Sequence, residues 1–265
     1  MSESVTIAGN GAMATVCAIL LIEGGHRVTM WGASADSIER LQNDREQHKL
    51  LPGVKVPADV RLTSDDAEAF SDATLVLSAV PTQAMRSVWT RLRDRLPAGV
   101  PIASTAKGIE TETLLRPTQI LENVLGPTRK YAAVSGPNIA AEIAKGMPAT
   151  AVVASVCETL SRRVQAAMST QRFRLYTNSD VVGIELAGAM KNVIAVAAGM
   201  LDGLKAGNNA KSALVTRGLV EITRLGVAMG AADDLLRPGG LGRSHYDLHQ
   251  PGRSKSPPRR AVGTG

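Results

Sequence analysis

The sequence predicts an α/β fold, an N-terminal doubly wound parallel sheet followed by a second, all-α domain. Three observations carry that expectation. Short β-branched apolar runs alternate with helical periods through the first two thirds of the chain. The first strand and the first helix are joined by a glycine turn. Beyond residue 178, two long helical stretches follow with no strand between them.

The elements follow in order. Val5-Thr6-Ile7-Ala8 is the first strand and runs into Gly9-Asn10-Gly11-Ala12-Met13-Ala14. An apolar helical stretch covers residues 15–23, and Gly24-Gly25 stops it. Arg27-Val28-Thr29-Met30-Trp31 closes a βαβ unit. Further strands are expected at 60–62, 74–79, 101–104, 131–134, 149–153 and 173–176, and long helices at 180–200 and 208–229. The expected divisions are a dinucleotide-binding domain over residues 1–178, an incomplete all-α domain over 179–234, and a tail over 235–265. Residues 237–265 hold six Gly and four Pro, with few apolar groups, so the tail is expected to be disordered.

A chain of 265 residues, 44% apolar and 20% charged, is globular and long enough for two modest cores. Its net charge of +6 suggests a nucleic-acid binder until the charge is located. Six of the 30 basic residues and one of the 24 acidic ones lie in residues 237–265, which leaves the body of the protein nearly neutral. No nucleic-acid partner is therefore expected. The apolar stretch around residues 186–201 is interrupted by Lys191 and rich in Gly and Ala, so no membrane span is expected either. Two cysteines make no disulfide framework, and no basic leader precedes the glycine turn, which points to the cytoplasm.

Four motifs carry chemistry. In Gly9-x-Gly11-x-x-Ala14, Gly9 permits a tight turn and Gly11 lets the backbone approach a pyrophosphate. Ala14 lets the helix pack closely, and the helix N-terminus offers free N–H groups to the phosphates. The acidic residue that would bind a ribose 2′-OH is missing after Trp31, where Gly32, Ala33 and Ser34 follow, and no basic residue for a 2′-phosphate stands there. The cofactor can thus be NAD or NADP. Lys107, in Ser104-Thr105-Ala106-Lys107-Gly108, lies at the carboxyl end of a strand and either faces the ligand crevice or is an ordinary surface lysine. Ser135-Gly136-Pro137-Asn138 makes a rigid turn, with Asn138 placed to cap a helix or to donate to a ligand. Lys191, beside Asn192, is set in an apolar helix that reads as buried on all faces. A desolvated lysine can donate or accept a proton near neutral pH. Downstream, Arg217 either pairs with Glu221 or reaches an anionic ligand. Together these groups suit hydride transfer to the carbonyl of a small phosphorylated substrate.

The chain resembles the bacterial-type NAD(P)-dependent glycerol-3-phosphate dehydrogenase family. The likeness runs through Gly9–Ala14, Leu51-Pro52-Gly53, Val80-Pro81, Lys107-Gly108-Ile109-Glu110, Ser135-Gly136-Pro137 with Ala140 and Glu142, residues 185–192, Asn208-Asn209-Ala210-Lys211 and Thr216-Arg217-Gly218-Leu219. The resemblance implies a Rossmann-type domain, NAD or NADP as cofactor, and reduction of dihydroxyacetone phosphate to sn-glycerol 3-phosphate for phospholipid synthesis. It implies Lys191 as proton donor and acceptor, with Lys107, Gly136, Asn138 and Asn192 at the substrate. It places Gly9, Asn10, Gly11, Ala12, Met13, Ala14, Pro81, Lys107 and Ala140 at the cofactor, and a homodimer is compatible with it.

Departures from the family pattern are local until Leu235. Ala12-Met13 replaces Ser-Trp, the basic residue after the second strand is absent, and Asn138 replaces Ser or Thr. From Leu235 the chain leaves the family pattern. Codons can be chosen for this segment so that the frame displaced by one base spells the family's Gly-Leu-Ala-Gly-Leu-Gly-Asp-Leu. The expectation is a shifted reading frame, a substrate domain cut short, and impaired activity. A non-catalytic dinucleotide-binding remnant and a β-hydroxyacid-type reductase are the rival readings; the blocks at Asn208 and Thr216 argue against the second.

Overall fold

The computed structural model describes residues 2–232. Eight strands form one sheet: β1 (Ser4–Ala8), β2 (Arg27–Trp31), β3 (Arg61–Thr63), β4 (Leu75–Ser78), β5 (Ile102–Ser104), β6 (Tyr131–Ser135), β7 (Ala149–Ala154) and β8 (Phe173–Asn178). Their spatial order is 3-2-1-4-5-6-7-8. The chain winds outward from β1 to β3, then returns to β4 on the other side of β1, so the strand order reverses beside the glycine turn. In open α/β sheets that reversal opens the ligand crevice.

Strands β1 to β6 are parallel, as the alternating pattern predicts, but β7 runs antiparallel to β6 and β8 parallel to β7. Connection length explains the reversal. The helix between β6 and β7, α6 (Ala140–Ala144), is five residues, about 7.5 Å long. It cannot carry the chain back past a five-residue strand of about 16 Å, so β7 re-enters from the same end. The helix before β8, α7 (Glu158–Met168), is long enough for a parallel crossover.

The remaining sheet helices are α1 (Ala12–Glu23), α2 (Ala35–Asp44), α3 (Asp66–Phe70), α4 (Thr82–Leu92) and α5 (Pro117–Leu125). Residues of β1, β4 and β5 are buried on both faces, which is why they read as continuous apolar runs rather than alternating ones. One face packs Val16, Leu20 and Leu21 of α1 with Val164 and Met168 of α7. The other packs Met85 and Trp89 of α4 with Ile120 and Leu121 of α5.

Two long helices follow, α8 (Val181–Gly203) and α9 (Gly207–Ala228). Asp180 caps α8, its Oδ1 accepting from the Gly183 N–H at 2.8 Å. The first turns of α8 bury Ile184, Glu185, Leu186 and Gly188. Glu185 Oε1 accepts from the Thr118 N–H at 2.8 Å, and Oε2 accepts from the Thr118 hydroxyl at 2.7 Å and from Arg116 Nη1. Burial pushes the Glu185 carboxyl upward, against the pull of those three donors. Close approach of α8 to β6 requires glycine at 188, where a Cβ would lie 2.5 Å from Ser135 Oγ.

The second half of α8 corrects the expectation of burial on all faces. Val193, Val196 and Met200 are 58%, 59% and 63% exposed. Among the described residues α9 is the element that packs along this half, with Gly218 seated against Ile194, and the other faces are exposed. By length and composition alone α8 is apolar enough to cross a membrane; its buried start carries the Glu185–Arg116 ion pair. The expected disordered tail, and the segment read as frame-shifted, lie outside the described residues.

Candidate functional site

The glycine turn closes tightly. Gly9 has φ +123°, its N–H donates to the Trp31 carbonyl at 2.8 Å, and a Cβ there would lie 2.7 Å from the Ala79 carbonyl oxygen. Gly11 differs, because a Cβ would meet only the Leu50 side chain at 3.5 Å. Packing does not demand glycine at 11; its absent side chain keeps clear the approach to the α1 N-terminus. That terminus has no side-chain cap and no acidic residue in its first turn, so its N–H groups suit an anion. Asn10 is held in place, its Nδ2 donating to Ser37 Oγ at 2.8 Å and its carbonyl accepting from Gln47 Nε2 at 2.7 Å. Ala12 and Met13 are half-buried against the core, and Ala14 is buried. Pro81 caps α4 at the end of β4, across the strand-order reversal. The residues present thus fit a dinucleotide's pyrophosphate.

The end of β2 is not as bare as its local sequence. Arg91, from the last turn of α4, donates from Nη1 to the Ala33 carbonyl at 3.2 Å and pairs with Asp66. Neither residue is near Trp31 in sequence, so no spacing rule finds them.

At the neighbouring strand ends, Lys107 Nζ donates to the Gly136 carbonyl at 2.8 Å. Thr82 Oγ1 donates to the Lys107 carbonyl at 3.1 Å and anchors its loop. Burial, reinforced by the positive charge of Lys191, lowers the Lys107 ammonium to about 8. The desolvated lysine is therefore Lys107, whereas Lys191, expected to be buried, is exposed. Its place on α8 explains this: residue 191 lies where the helix leaves the sheet. Lys191 nonetheless lines a cavity of about 450 Å³ with Gly136, Pro137, Thr150, Tyr176 and Gly188.

Asn138 is half-buried, and its Oδ1 is buried with no hydrogen-bond partner among the described residues. Ala140 opens α6 and packs against the core. Asn192 is exposed and does not line the cavity. Arg217 pairs with Glu221 at 2.5 Å, the first of its two alternatives. Among the described residues no group of three or more His, Cys, Asp or Glu side chains is placed to hold a metal ion.

Residues 4–161 match the family described as NAD-dependent glycerol-3-phosphate dehydrogenase N-terminus, and residues 180–243 match its C-terminus. A glycerol-3-phosphate dehydrogenase [NAD(P)+] from Geobacter sp. strain M21 is 45% identical over 233 residues, covering 87% of this chain and 70% of the relative. One of the same description from Streptomyces coelicolor is 45% identical over 238 residues, with the same shares. The crystal structure of glycerol-3-phosphate dehydrogenase from Coxiella burnetii superposes with a TM-score of 0.84 at 33% identity, covering 91% of this chain and 74% of that one. A pyrroline-5-carboxylate reductase from the same organism, 15% identical with a TM-score of 0.52, shares the fold alone, over 92% of this chain and 88% of its own. With a glycine turn suited to a dinucleotide, a lysine pair at the strand ends and these relatives, the chain belongs to the NAD-dependent glycerol-3-phosphate dehydrogenase family.

Proposed function

We propose that the protein interconverts dihydroxyacetone phosphate and sn-glycerol 3-phosphate with NAD(H) or NADP(H), in the cytoplasm, as a source of glycerol phosphate for phospholipids. The single observation that carries this reading is the meeting of Lys107 and Lys191 beside Gly136, at the strand ends next to an uncapped glycine-turn helix.

The residues divide the work. The α1 N-terminus, with Gly9, Asn10, Gly11, Ala12, Met13 and Ala14, would hold the pyrophosphate, and Pro81 and Ala140 would line the dinucleotide site. The nicotinamide, when bound, gives or takes a hydride. Lys191 Nζ gives a proton to the substrate oxygen as the carbonyl carbon is reduced, and takes it back in the reverse direction. The Lys107 ammonium, fixed on the Gly136 carbonyl, orients that oxygen and attracts the phosphorylated substrate. Asn138 and Asn192 supply polar contacts to the substrate.

The family match reaches residue 243, and the reading includes a frame shifted from near Leu235 and lowered turnover. The test follows NADH and NADPH absorbance with dihydroxyacetone phosphate, using this chain and a frame-restored version. Turnover by the restored version, lost by about 100-fold or more in Lys191→Met, is the expected result. Cofactor binding with no turnover in either version would favour the non-catalytic remnant instead.

A further inference from the structure

Residues 31–34, at the carboxyl end of β2, carry no charge, yet the fold brings a guanidinium to them. Arg91 Nη1 donates to the Ala33 carbonyl at 3.2 Å. Its Nε and Nη2 donate to the two Asp66 oxygens at 2.7 and 2.8 Å. The guanidinium carbon lies 5.3 Å from the centre of the Trp31 ring, and the Trp31 indole N–H donates to Asp66 Oδ1 at 3.0 Å. Three bonds and an aromatic face hold the group in one orientation before any ligand arrives.

A guanidinium has five N–H groups, so these three bonds leave one N–H on Nη1 and one on Nη2. Arg91 is 46% exposed and Asp66 22%. Asp66 already accepts from Trp31 and twice from Arg91, so its carboxylate is committed within the protein. The Gly9 N–H bond to the Trp31 carbonyl ties this corner to the glycine turn. A dinucleotide whose pyrophosphate sits at Gly11 brings its adenosine ribose to the end of β2.

We propose that Arg91 selects the cofactor: its two spare N–H groups receive the 2′-phosphate of the adenosine ribose, so the site prefers NADP(H) to NAD(H). Asp66 does not serve as the ribose 2′-OH acceptor; it positions Arg91. The proposal rests on the dinucleotide site described above and names the cation that the local sequence lacks.

The test is equilibrium binding of NADPH and NADH to the full chain, read by dihydronicotinamide fluorescence excited through tryptophan. NADPH is expected to bind about tenfold more tightly at low ionic strength, with the gap narrowing as salt is added. Arg91→Met should weaken NADPH about tenfold more than NADH, and Arg91→Lys, which keeps the charge but loses the fork, should fall between. Asp66→Asn, which frees the guanidinium from its counter-charge, should widen the preference for NADPH, a change that a merely structural role for the pair would not produce. Circular dichroism melts confirm that each variant folds. Equal affinities in the unaltered chain, or a preference that survives in Arg91→Met, would overturn the proposal alone. If neither cofactor binds, the dinucleotide reading falls and takes the proposal with it.

Discussion

Lys107 and Lys191 repel one another, and the more buried of the two bears the consequence. The folded chain releases the Lys107 proton near pH 8, whereas an unfolded chain keeps it to about 10.5. Between those values the unfolded state binds more protons, so stability rises with pH across that window. Below pH 8 both states are protonated and the desolvation cost is present in full. Lys107→Met should therefore raise stability at pH 7 by on the order of 1 kcal/mol, discounted for its partial exposure, and flatten the rise between pH 8 and 10.5. Urea melts at pH 7 and 10 measure both effects, and an unchanged slope would refute them. A second residue-scale test concerns the contact that seats α8. Gly188→Ala brings a Cβ to 2.5 Å from Ser135 Oγ and should cost about 1–3 kcal/mol. Ser135→Ala in the same chain removes that oxygen, so the double variant should recover most of the loss in a thermal melt.

Among the elements, α5 is tied to the start of α8, the helix that carries Lys191, through the Arg116–Glu185 pair. Replacing Glu185 with Leu strands Arg116 in a buried position and should cost about 3–5 kcal/mol, while Arg116→Met with Glu185→Leu should recover only the part due to the stranded charge, because Thr118 still loses its acceptor. Calorimetry on both variants decides; equal losses would mean the pair is only a bystander. The strand positions were legible from the sequence because each strand of this covered sheet is a short apolar run between turns, and 131–134 or 173–176 fall within observed strands. The reversal at β7 was not, because direction depends on whether α6 can span a strand. The exposure of Lys191 is hidden from the sequence for a related reason. Apolar composition marks a helix that wants partners, but it does not say how many the chain supplies. No local pattern marks Arg91 and Asp66, because tertiary packing alone brings α4 and α3 to the end of β2.

For the whole molecule, the exposed apolar residues of α8 and α9 set the solution behaviour. Among the described residues Val196, Met200 and Leu219 are 59%, 63% and 51% exposed, and clustered apolar exposure of this kind marks an association surface. The chain should self-associate with rising concentration, and Val196→Lys with Met200→Lys should shift sedimentation toward the monomer. A chain that stays monomeric at all concentrations would count against this. The helix that bears these residues is also the one that carries Lys191. It is riveted to the body at Glu185, six residues before the amine, and among the described residues leans on α9 beyond. Such a helix is a lever with its fulcrum in the sheet. A partner that covered its far end would also brace the rod on which the amine sits, so sealing a greasy surface would steady a chemical group.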